Sequence, residues 1–153
     1  MPRRLRFLDL FIVSFLLIFP SIAYAEKGPL NIYIAPSPTG ATSIYLSPLS
    51  TGAKALHLTP IPSVADITVC FVNNPAIANV VIKFTPSRIA AQAVHFSPIP
   101  VGAEAIHFSP LSTGTKTIHI TKTFVADRLV YIENAMSISV EQQLAIMEVF
   151  GLL

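Results

Sequence analysis

From about residue 30 onward the chain returns to one short phrase roughly every 12 positions. Ile44-Tyr45-Leu46-Ser47-Pro48 comes back as Leu56-His57-Leu58-Thr59-Pro60, Val94-His95-Phe96-Ser97-Pro98 and Ile106-His107-Phe108-Ser109-Pro110. Looser copies start at Ile32, Val69, Ile82, Ile118 and Val130, which makes nine units. A fixed short period means that each unit is too small to bury its own apolar face and must bury it against other units. That restricts the chain to an array of like elements and makes most of its other motifs echoes of the repeat.

Positions one and three of the unit are apolar in every copy, and many are β-branched or aromatic. Alternation of that kind marks a short strand with both apolar side chains on one face. Ser or Thr followed by Pro then opens a turn, because the hydroxyl accepts a free N–H and proline needs no acceptor. Four strand residues advance about 13 Å, and eight returning in a tight path retrace about the same length. The expected fold is therefore a β or α/β repeat, a short-coil parallel solenoid with one strand and one tight turn per unit. The alternative is an antiparallel β meander, whose loops of about 8 residues are long for hairpins. Two spacings of 13 residues, between Leu56 and Ile82, read as a tolerated bulge.

Both ends depart from the repeat. Arg3, Arg4 and Arg6 precede an apolar run from Leu10 to Phe19, and Ala23-Tyr24-Ala25 supplies a small-x-small cleavage site. Residues 1–25 thus read as a signal peptide too short to span a bilayer, which places the protein in the periplasm or outside the cell. Residues 26–136 form the repeat domain and 137–153 a C-terminal amphipathic capping helix. There Ser139 and Gln142 match a capping box, with Val140, Leu144, Met147 and Phe150 at helical spacing.

Cleavage would alter the charge balance. The whole chain carries 10 Lys+Arg and 8 Asp+Glu. Losing Arg3, Arg4, Arg6 and Asp9 leaves seven of each sign. No basic stripe remains for a nucleic-acid partner, and a neutral, charge-poor surface favours self-association. Cys70 is the lone cysteine, so no internal disulfide staples the domain.

Two units, Val64-Ala65-Asp66-Ile67-Thr68-Val69-Cys70-Phe71-Val72 and Val125-Ala126-Asp127-Arg128-Leu129-Val130-Tyr131-Ile132-Glu133, carry Ala-Asp ahead of the strand. They resemble a group of small uncharacterised bacterial proteins built from tandem Ala-Asp-Leu-x-Val-Tyr-Phe-Val units. The resemblance spans roughly residues 56–135, and the Ser-Pro and His-rich copies depart from it. It implies a small repeat fold without known activity and transfers no functional residue.

The second position of the strand points away from the apolar face and holds all four histidines, His57, His95, His107 and His119, beside Tyr33 and Tyr45. Stacked in sequence order, with Ser97, Ser109 and Thr121 at the fourth position, these residues make an exposed His/Tyr and Ser/Thr ladder. Such a face suits a non-catalytic binding or structural module, with a glycan, a protein or a second copy as partner. The alternative is a metal-binding protein that holds a transition metal between His95, His107 and His119. Catalysis is not expected. The acids Asp66, Glu104 and Asp127 lie in the turn segment, and no phosphate loop or His-Glu-x-x-His motif is present.

Overall fold

The computed structural model describes residues 28–135 and 137–153. The signal peptide of the sequence reading lies outside these residues. Nine strands follow in order: β1 (Leu30–Ile34), β2 (Thr42–Leu46), β3 (Lys54–Leu58), β4 (Ile67–Val72), β5 (Val80–Phe84), β6 (Gln92–Phe96), β7 (Glu104–Phe108), β8 (Lys116–Ile120) and β9 (Arg128–Glu133). One helix, α1 (Val140–Val149), closes the chain. Each unit supplies one strand, and every pairing is parallel, which excludes the meander.

Sequence neighbours do not pair, and this corrects the expected unit-on-unit stack. The strands close into a barrel in the order β1-β5-β9-β4-β8-β3-β7-β2-β6. Each step along the chain skips one place around the ring, so β1–β5 make a first lap and β6–β9 fill the gaps on a second. The two edges of β1 bear this out. The Ala35 N–H donates to Val94 O beyond one edge, while Ile32 O accepts from the Thr85 N–H across the other.

Register is the same all the way round. Ile34 lies opposite Val94, and Val94 opposite Thr42, so each strand is staggered by two residues from the next. With ~3.3 Å per residue and ~4.8 Å between strands, that stagger tilts the strands by about 54° and opens a radius of roughly 12 Å. Because the stagger equals the side-chain period, equivalent residues form level rings. The middle ring is Ile32, Ile82, Val130, Val69, Ile118, Leu56, Ile106, Ile44 and Val94, each no more than 1% exposed.

A barrel this wide is not filled by strand side chains alone, and α1 fills the rest. Leu144, Ala145, Ile146 and Met147 are completely buried and belong to the same core as the ring. Four consecutive residues span about 300° of a helix, so α1 is enclosed on all sides and is not one-faced. Its exposed first turn carries the capping box, with Ser139 Oγ accepting from the Gln142 N–H at 3.2 Å and Gln142 Oε1 accepting from the Ser139 N–H at 2.9 Å. The far end is tied to strand starts. Lys116 Nζ meets Glu148 Oε2 at 2.6 Å, and Arg128 Nε donates to Leu152 O at 2.8 Å. The helix thus runs antiparallel to the strands, down the barrel axis. Reading it as an amphipathic cap missed that Ala145 and Ile146 leave no polar stripe through its middle.

Candidate functional site

The core fills the barrel, so each crossover between successive strands passes outside the strand it skips. Residues 35–41 cross β6, 47–53 cross β7, 59–66 cross β8 and 109–115 cross β3. The second-position histidines sit beneath these crossovers. His95 Nδ1 lies 3.0 Å from Ala35 O, His107 Nδ1 2.9 Å from Ser47 O, His119 Nδ1 2.9 Å from Thr59 O and His57 Nδ1 2.9 Å from Ser109 O. A carbonyl only accepts, so Nδ1 is the donor in each of these four contacts. All four histidines, with Tyr33 and Tyr45, are half-buried.

The hydroxyls are likewise occupied. Ser97 Oγ accepts from the Ile99 N–H at 3.2 Å and donates to Ile99 O at 2.7 Å. Ser109 Oγ accepts from the Leu111 N–H at 3.1 Å, and Thr121 Oγ1 from the Thr123 N–H at 3.1 Å. These are Ser/Thr turns that begin the crossovers after β6, β7 and β8. Within the tight return path, regular structure forms only as single 3₁₀ turns, Pro62–Val64 and Pro75–Ile77, in the crossovers with 13-residue spacing.

The structure does not unite the proposed metal ligands. β2 separates His95 on β6 from His107 on β7, and β3 separates His107 from His119 on β8. Neighbouring places on a ring are ~8 Å apart, so two strands put these residues about 15 Å apart, against the ~2 Å of a zinc–nitrogen bond. Among the described residues no group of three His, Cys, Asp or Glu side chains could hold an ion. The lone thiol, Cys70, is buried on the outer face of β4. Glu104, read as a turn residue, is the first residue of β7 and pairs with Lys54 at 3.1 Å.

Where Ala-Asp or Ala-Asn stands ahead of a strand, its side chain locks the neighbouring strand. Asp66 Oδ2 accepts the Thr117 N–H at 2.7 Å, and Asn79 Oδ1 accepts the Leu129 N–H at 2.8 Å. Asp127 Oδ2 accepts both the Thr68 hydroxyl and the Thr68 N–H at 2.7 Å. Those two hydrogen bonds, the hydroxyl's first, hold the Asp127 carboxyl below the usual aspartate range.

Among the described residues an opening lies where the strands begin. A cavity of about 730 Å³ is walled by the starts of β1, β5, β6 and β9 and by the chain leaving α1. Leu30, Val80, Val81, Phe150 and Leu152 give it an apolar lining, with Asn31, Asn79, Gln92 and Arg128 at polar points. Counting each strand from its first apolar position leaves out Leu30, Val80, Gln92 and Arg128, two residues earlier. The signal was the alternation itself, continued one step back. Comparison with protein-family models, with curated proteins and with solved structures finds no match to this chain.

Proposed function

We propose that the protein is an exported, non-catalytic binding module that takes a small amphipathic molecule at the strand-start mouth of its barrel. The cavity of about 730 Å³ carries this reading. Its size falls within the range of small-molecule sites, and barrel mouths are a preferred place for them. An apolar body would lie against Val80, Phe150 and Leu152, with a hydrogen-bonding head toward Asn31 and Gln92. Export rests on the basic, apolar and Ala-Tyr-Ala succession of residues 1–25. The imidazoles and hydroxyls of the His/Tyr and Ser/Thr face are engaged in holding crossovers and turns, which favours the mouth over that face as the binding surface.

Anilinonaphthalene sulfonate, with an apolar body and an anionic head, is a suitable first probe. Its fluorescence should rise with saturable, micromolar binding to the folded chain. Val80→Trp, which fills the cavity, should abolish the rise, whereas Leu49→Lys with Leu111→Lys on the outer surface should leave it intact. No binding, or binding undiminished in Val80→Trp, overturns the proposal.

A further inference from the structure

The two laps have an effect on the outer surface that no single unit shows. Around the ring β8, β3, β7 and β2 are consecutive. The crossovers over them, residues 59–66, 109–115, 47–53 and 97–103, therefore lie side by side although they come from opposite halves of the chain. Each has an apolar residue directly after its Ser-Pro or Thr-Pro, and all four are exposed: Ile61 at 52%, Leu111 at 69%, Leu49 at 68% and Ile99 at 56%. Val64 and Val101 add to the same arc.

We propose that this arc is the surface through which the protein pairs with a second copy of itself. Its six apolar side chains expose on the order of 650 Å² before their prolines are counted, close to the ~800 Å² each partner contributes to a standard interface. That also exceeds most of the apolar patches found on monomers. Charge selects the occupant. Across the four crossovers the one charged residue is Asp66, and its carboxylate already accepts the Thr117 N–H. A strongly charged partner finds no ion pair here, whereas a second copy brings an equally uncharged face. Two such arcs meet through the same residues on both sides, with Leu111 and Leu49 at the centre. The closed barrel leaves no strand edge for pairing, so contact is made through side chains. The pairing is independent of the mouth cavity.

Sedimentation velocity of the purified chain across the micromolar range tests it. The wild type should sediment as a dimer, and Leu49→Lys with Leu111→Lys as a monomer with an unchanged circular dichroism spectrum. If that variant loses the native spectrum, Ile99→Lys alone serves in its place and should weaken the dimer at least tenfold. A wild type that stays monomeric at every concentration, or association that persists unchanged in the variants, overturns the proposal.

Discussion

His95 on β6 reaches across to Ala35, 60 residues earlier, and its Nδ1–H donates to that carbonyl at 3.0 Å. The same bond recurs from His107, His119 and His57, each joining a strand of one lap to a crossover of the other. Histidine suits the place because its ring is long enough to reach the crossover and presents one N–H in a fixed direction. What reads as a surface for a ligand is a row of internal ties.

Removing one tie should weaken the fold without changing it. His95→Ala and His107→Ala should each lower stability by about 1 kcal/mol, the net worth of a typical hydrogen bond. Nitrogen-15 spectra of the imidazoles should show the Nδ1–H form in all four rings. An Nε2–H majority would contradict the ties.

Asp127 should make stability depend on pH in the acid range. Its carboxyl is lowered by the Thr68 hydroxyl and then by the Thr68 N–H. The native state therefore holds this proton less tightly than the unfolded chain does. The stabilisation is complete above the unfolded value near 3.9 and is lost as pH falls through the lower native value. Asp127→Asn should fold, since Asn79 shows an amide oxygen accepting the equivalent N–H, and should flatten the acid limb of a stability–pH curve. A limb of unchanged slope would mean that other carboxylates govern it.

Ala90 and Gly102 fill equivalent places in their turns, with φ of 57° and 71°. Left-handed backbone costs a residue with a Cβ roughly 1–2 kcal/mol, and nothing lies within 4 Å of a Cβ at Gly102. Gly102→Ala should thus destabilise by about 1 kcal/mol through the backbone alone. Ala90→Gly relieves the same strain, though the greater freedom of unfolded glycine offsets about 0.5–1 kcal/mol of the gain. Thermal melts of the pair should move in opposite directions or, for Ala90→Gly, not fall.

The barrel should not outlive its helix. Leu144→Ala should cost about 2–5 kcal/mol, as for a fully buried leucine elsewhere. Met147→Asp places a charge amid apolar residues and should prevent folding at room temperature. Circular dichroism in denaturant checks both. A near-native melt for Met147→Asp would place α1 outside the barrel.

The nine strands and the helix boundary were legible in the sequence because each depends on local chemistry. Val94 and Phe96 alternate with polar neighbours, and Ser139 with Gln142 announces a helix start. Partner choice was not local. Near-identical units give β1 no reason, read residue by residue, to prefer β5 and β6 over β2. That choice depends on closing the ring around α1, a property of the whole. The candidate site failed for the same reason: His95, His107 and His119 are consecutive in the repeat, but β2 and β3 come between them. The mouth at Leu30, Val80 and Gln92 depends on ring order even more.

Interleaving also constrains when the protein can fold. Every strand pairs with residues 50 to 60 positions away, and within the first lap only β1 and β5 touch. Contacts so distant in sequence close slowly. The first lap alone has almost nothing to fold onto, and the helix that fills the barrel follows all nine strands. Native pairing beyond that one contact therefore cannot begin until the second lap is present to fill the gaps left by the first.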